Sequence, residues 1–287
     1  MTVILVTGAT GMFGSRVVRG LLDAGKPTRA LVRDESRPEG LEAAGAELAV
    51  GDMDRPETLP AALKGVRRVF LVSPMDDRID ARERAVTRAA RAADVELVIK
   101  LYGAVKHHGD SLDALHLASI AELRESGLRW SLLSPNSVME TSLLSQAEAI
   151  KHTGAMWGSA GDGRVGLIAA DDAAAAGVAL LSGDPEPERN YEVTGPEAVT
   201  MAEVARRLSG LLGRSVAYND LPENAFRDML VQQAGMTPEQ AEIGVLAHFR
   251  AWRRGDADLV TDTVAELTGH PPISLDQWLR QHQTAYA

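Results

Sequence analysis

A doubly wound α/β fold, a parallel sheet with helices on both faces, is what this 287-residue sequence predicts, and three observations predict it. Short apolar runs rich in Val, Ile and Leu recur through the first half of the chain. Segments of helical period separate them. The first run leads directly into a glycine-rich loop. Strand and helix alternating at this spacing build βαβ units, which have parallel strands and right-handed crossovers.

The predicted strands are VILVT (3–7), TRALV (28–32), AELAV (46–50), RRVFLVS (67–73), VELVIKL (95–101) and RWSLLS (129–134). Helices fall between them at segments such as SRVVRGLLDAG (15–25) and DARERAVTRAARAAD (80–94). The helix expected over 77–93 carries Arg78, Arg82, Arg84, Arg88 and Arg91 with Asp80 and Glu83 interleaved. This spelling reads as a solvated face laced by i,i+4 pairs rather than an anion-binding stripe. Beyond residue 135 the rhythm loosens. GRVGLIAADDAAAAGVALLSG (163–183) predicts a strand, an Asp N-cap and an Ala-rich helix, and RNYEVTG (189–195) predicts another strand. Capping-box spelling then recurs at TMAE (200–203), TPEQ (237–240) and SLDQ (274–277). The expected division is a dinucleotide-binding domain over 1–150, its sheet completed by parts of 164–195, and a mainly helical cap region over 196–287. Phe226, Met229, Leu230, Ile243, Leu246, Phe249 and Trp252 lie at helical spacing in that region. They are expected to form core, with some walling an apolar substrate pocket.

Composition narrows the partners. A formal net charge of −10 opposes binding to nucleic acid or an anionic membrane and leaves a small-molecule substrate. Cysteine is absent, which excludes disulfides and thiolate chemistry. No metal site is expected, because His107 and His108 are adjacent and His116 has no ligand partner at i+4. The chain shows neither an 18-residue apolar span nor the basic start of a signal peptide, so a cytoplasmic location is expected. The residues do not specify an oligomeric state.

The chemistry begins at TGATGMFGSRVV (7–18), where the first strand meets the first helix. Gly8 permits a tight turn, Gly11 lets backbone N–H groups approach a pyrophosphate, and Gly14 allows close packing of the helix. A glycine triplet in this place predicts dinucleotide binding. Where an NAD-binding domain usually has an acidic residue after its second strand, this chain has ALVRDES (30–36) with Arg33 first. A guanidinium forks onto a phosphate, so Arg33 favours NADP(H) through its 2′-phosphate. Asp34 and Glu35 follow immediately, which keeps NAD(H) open.

The GxxGxxG loop, ALVRD, GDMDRPETLPAALKGV (51–66) and LTGHPPISLDQWL (267–279) together resemble the NmrA-like group of atypical short-chain dehydrogenase/reductases, in particular its quinone-reductase and triphenylmethane-reductase members. The resemblance implies an NADP(H)-dependent oxidoreductase. It implies that Gly8, Thr10, Gly11, Met12, Phe13 and Gly14 form the phosphate loop and that Arg33 binds the 2′-phosphate. It places Asp52 and Met53 at the turn flanking the adenine, and Ser73 and Pro74 beneath the nicotinamide ribose. HLASIAELRESGLRWSLLSPNSVMET (116–141) is similar to the group's His-led helix and proline loop, with Thr141 where Asn is usual and Asn136 where Gly is usual.

YGAVK (102–106) spells the Tyr-Lys pair of a short-chain dehydrogenase, but it lies in a strand-to-loop segment that does not put both side chains on one face. The following helix, expected to begin near Ser111, contains neither residue type. The proton donor is thus left open: the resemblance places His116 where the quinone-reductase-like members carry a histidine, so His116, Tyr102 or water is expected to donate, and His116 also admits a purely structural reading beside Leu112, Leu115 and Ile120. Lys100 sits on the same strand side as Tyr102, where pairing with a carboxylate is open to it. The function expected is hydride transfer from NADP(H) to a quinone-like or conjugated carbonyl molecule. The alternative is a non-catalytic regulator that senses NAD(P)(H).

Overall fold

A computed structural model describes residues 2–34 and 40–287. Its strands are β1 (Val3–Val6), β2 (Thr28–Val32), β3 (Glu47–Val50), β4 (Val66–Leu71), β5 (Leu97–Leu101), β6 (Arg129–Pro135), β7 (Ala155–Gly158), β8 (Asn190–Val193) and β9 (Ala217–Asp220). Helices α1 (Met12–Asp23), α2 (Leu59–Leu63), α3 (Ile79–Ala92) and α4 (Ser111–Glu125) connect the early strands. Seven strands form one sheet in the order β3-β2-β1-β4-β5-β6-β8. Strands β1 to β6 pair in parallel throughout, with Val6 opposite Phe70 and Phe70 opposite Ile99. The order reverses between β1 and β4, and in such sheets ligands bind outside the carboxyl ends of the strands at that point.

The chain divides into two compact units. The first comprises 1–102, 114–134 and 171–191, and the second 103–113, 135–170 and 192–287. In the first unit the central strands are apolar on both faces, as helix-covered parallel strands must be, and Val69, Phe70, Val98 and Ile99 are fully buried. Helix α1 buries Gly14, Val17, Val18 and Leu21, a stripe at i, i+3, i+4 and i+7. Phe70 and Leu133 pack within 3.3 Å of where a Cβ on Gly177 would stand, in the helix Ala170–Ser182.

Helix α3 corrects the expectation of a wholly solvated charged face. Its buried stripe is Ile79, Arg82, Glu83, Val86, Thr87 and Ala90, so two of the charged residues lie on the apolar side. Arg82 is held there by Asp54 (2.8 Å) and Asp76 (2.7 Å). Arg84 makes the expected i,i+4 pair with Asp80 (3.9 Å), while Arg84 and Arg88 both also reach across to Glu122 on α4 at the surface.

The second unit centres on Ile150, Met156, Val204, Leu208, Phe226, Leu246, Phe249, Trp252 and Trp278. Capping boxes begin its helices at Thr200/Glu203, Thr237/Gln240 and Ser274/Gln277, as their spelling predicts. Three features depart from expectation. The four-residue strands β7 and β9 pair in parallel, and β9 falls within the region expected to be mainly helical. Residues 165–168, predicted as a strand, make only isolated bridges, Val165 with Val199 and Ile168 with Val138, because their bonds go to different partners and no ladder forms. Helix Ala170–Ser182 also starts before both aspartates, so Asp171 and Asp172 occupy its first turn rather than the N-cap.

Two histidines meet inside this unit. The rings of His107 and His248 contact edge to face with centroids 4.9 Å apart, and His107 Nδ1 lies 3.1 Å from Asp110 Oδ2. Burial lowers the pKa of both, that of His248 to about 4. An unfolded histidine titrates near about 6.5, so below that pH the unfolded chain binds more protons than the folded one. Stability from His248 is therefore complete above about pH 6.5 and is lost as the pH falls toward 4. Urea unfolding at pH 7, 6, 5 and 4.5 is expected to show the midpoint falling with acid, and falling less in His248→Gln; equal slopes for the two proteins would contradict this assignment.

Candidate functional site

The loop after β1 is shaped by backbone contact. Gly8 adopts φ +54°, and a Cβ there would stand 3.1 Å from both the side chain and the carbonyl of Val72. A Cβ on Gly14 would run into the Gly8 carbonyl oxygen, so the first turn of α1 can rest against the loop only without a side chain. Gly11 donates its N–H to Gly8 O (2.8 Å) and serves as the N-cap with no side-chain cap. The amides at the start of α1 lack intrahelical acceptors and form the positive end of a twelve-residue helix. Thr7 ties the loop to the strand-order reversal: its hydroxyl donates to Val72 O (2.7 Å) and accepts from Val72 N (2.8 Å). This side-chain-free cradle with a positive rim fits a pyrophosphate. Thr10 and Gly11 are exposed, and Met12 and Phe13 are half-buried.

Arg33 and Asp34 stand exposed directly after β2, and Glu35 lies outside the described residues. Arg33 is close enough to Asp54 to help hold that carboxyl below its usual range, though the main cause is the hydrogen bond from Arg82. Asp52 closes a turn by accepting from Asp54 N (2.9 Å), and Met53 is buried in the core with Leu31 and Leu59. The sequence signal for this turn was thus partly a signal for packing.

At the carboxyl ends of β4 and β5 lies a buried polar network. Lys100 is fully buried and Glu83 is 2% exposed, with Nζ 2.6 Å from Oε2. Ser73 donates to the other carboxylate oxygen of Glu83 (3.0 Å). Lys100 also donates to Leu101 O (3.1 Å) and stands 3.4 Å from His116 Nδ1. The Tyr102 ring meets His116 edge to face, at 5.1 Å between centroids and 78° between planes. Residues 100 and 102 reach the same histidine because alternate residues of a strand share a side. Ser73, Tyr102 and His116 are thus brought together with two charged residues. Lys100 found its carboxylate. Its partner Glu83 went unrecognised, although its place on the Ile79, Val86, Ala90 stripe was a readable sign.

Tyr102 and Lys106 share no helix, since 102–110 is irregular and α4 begins at Ser111. In the second unit, Asn136 donates to Ala257 O (2.9 Å) and accepts from Ser137 N (2.7 Å). Glu140 accepts from Ala170 N (2.9 Å) and Trp278 Nε1 (3.0 Å). Asn136 and Glu140 thereby brace the proline loop. Among the described residues no cluster of three or more metal-binding side chains occurs, and no helix is long and apolar enough to cross a membrane.

A glycine cradle at the point where strand order reverses defines a dinucleotide-binding protein of the doubly wound class. The NmrA-like family model matches residues 1–252, and the chain belongs to that family. It is 34% identical over 286 residues to an NAD(P)H azoreductase of Xenophilus azovorans, with 99% of each chain covered. It is 36% identical over 289 residues to a (4-alkanoyl-5-oxo-2,5-dihydrofuran-3-yl)methyl phosphate reductase of Streptomyces griseus subsp. griseus, again covering 99% of each. Among solved structures, the NADPH-dependent quinone oxidoreductase of Escherichia coli in complex with NADPH superposes with a TM-score of 0.89 at 26% identity, over 97% of this chain and 99% of that one.

Gly14→Ala places a methyl group against the Gly8 carbonyl and must push loop and helix apart. The variant is expected to fold and to bind NADPH at least about tenfold more weakly, a loss of about 1.4 kcal/mol. Titration of nicotinamide fluorescence checks this, and unchanged affinity would remove the loop from the site.

Proposed function

We propose that this protein passes hydride from NADPH to a quinone-like or otherwise conjugated carbonyl acceptor, with His116 donating the accompanying proton. The protein is an NAD(P)H-dependent oxidoreductase. The observation that carries the finer reading is the placement of an imidazole, held by Lys100 and Tyr102, on the same sheet edge as the glycine cradle. The acceptors named for the relatives support the substrate class, since an azo group, a 5-oxo-2,5-dihydrofuran and a quinone are all conjugated double bonds.

The residues divide the work. Gly8, Thr10, Gly11, Met12, Phe13 and Gly14 hold the pyrophosphate with backbone amides and the positive end of α1. Arg33 takes the 2′-phosphate as a bidentate donor. Asp52 and Met53 border the adenine, and Ser73 and Pro74 border the nicotinamide ribose. NADPH supplies the hydride when bound. As the acceptor is reduced, negative charge grows on its heteroatom, and an imidazole N–H beside it stabilises and then neutralises that charge. Tyr102 holds the plane of the imidazole through the edge contact. A net charge of −10 argues for a small molecule rather than a polyanion as the partner.

Two variants test the assignment. Arg33→Gln is expected to weaken NADPH binding by about tenfold or more while leaving NADH nearly unchanged, as loss of a charge-assisted hydrogen bond worth about 1.5–3 kcal/mol requires. Equal effects on the two dinucleotides would displace Arg33 from the 2′-phosphate. His116→Ala should lower turnover on a panel of quinones and enones by about a hundredfold with NADPH affinity retained. Unchanged turnover would sink His116 as donor. Tight NADPH binding by the unaltered protein with no oxidation on any acceptor would favour a dinucleotide-sensing role.

A further inference from the structure

We infer that the buried Lys100–Glu83 pair is a positioning device that locks His116 in one tautomer, with Nδ1 accepting from Lys100 and the ring proton held on Nε2. The functional consequence rests on the proposed role of His116 as donor; the tautomer itself does not. An ammonium offers three donors and no acceptor, so the ring nitrogen facing it must present a lone pair. Lys100 Nζ is ion-paired with Glu83 Oε2 (2.6 Å), donates to Leu101 O (3.1 Å) and stands 3.4 Å from His116 Nδ1. Glu83 is in turn steadied by the Ser73 hydroxyl at Oε1 (3.0 Å). The Tyr102 ring, crossed at 78°, limits rotation of the imidazole. Nδ1 is therefore an acceptor, and the proton of the neutral ring sits on Nε2.

Stability alone is a poor reason for this pair. Two charges withdrawn from water lose most of what their attraction returns, and well-packed apolar residues of similar volume usually serve a core as well. Fixing a tautomer is a task that apolar residues cannot perform. Lys100 and Glu83 reach the reaction only through His116, so they act as positioning residues.

The test is long-range ¹H–¹⁵N correlation of the full-length protein labelled at histidine, with His116→Gln identifying the resonances to follow. The expected spectrum shows His116 protonated at Nε2 and unprotonated at Nδ1. A proton on Nδ1 in the unaltered protein overturns the inference whatever the activity. Removing Lys100 alone would strand a buried carboxylate, so the variant is the neutral double change Glu83→Gln with Lys100→Met. It is expected to bind NADPH as before, to show a mixture of His116 tautomers, and to lose about tenfold in kcat with the acceptor KM little changed. An unchanged tautomer in that variant, or a changed tautomer with unchanged kcat, overturns the positioning role. Failure of the donor assignment is seen separately, as full turnover in His116→Ala beside an unaltered tautomer result.

Discussion

The Gly8 carbonyl occupies the place where residue 14 would carry a Cβ, and the geometry of the glycine cradle depends on that close approach. It brings the first turn of α1 against the end of β1, which sets the unpaired amides of the helix beside the strand-order reversal. Thr7 holds the other side of the reversal by bonding both polar groups of Val72. A local backbone constraint, met by glycine and one hydroxyl, thus places a region of positive potential at the sheet edge where ligands of this architecture bind.

On the same edge a different physical problem is solved. Lysine and glutamate are rarely fully buried, and the pair at 100 and 83 persists because each charged group has partners. Their cost is justified if orientation matters more than packing. The histidine they reach lies on α4, half-buried at a position that the helix by itself leaves open to a purely structural reading. The polar network at this edge is therefore a property of three elements and the residue that follows one of them: α3 supplies the carboxylate, β5 the ammonium with the phenol ring just beyond it, and α4 the imidazole.

Much of this was legible in the residues. Strand boundaries at 28–32 and 129–135 fall within a residue of the apolar runs, because strands covered on both faces must be apolar along their length. The three capping boxes were legible because their bonds join residues only three apart. The pairs made over long separations were hidden. Glu83 looked like one more member of a charged helix. His107 and His248 lie far apart along the chain yet share a ring contact, and β7 and β9 are too short to announce themselves.

By itself, the sequence determined the βαβ rhythm, the glycine loop after β1 and the cationic residue after β2, since each depends on neighbours within one turn or strand. Tertiary structure alone decided which charges are buried and what they face: Lys100 is an isolated cation in an apolar strand until α3 turns Glu83 inward and α4 brings the imidazole within 3.4 Å. The reason is physical. Local propensity and periodicity act over a few residues, whereas the pairing of buried polar groups is set by desolvation, which acts only where distant segments close on one another and exclude water.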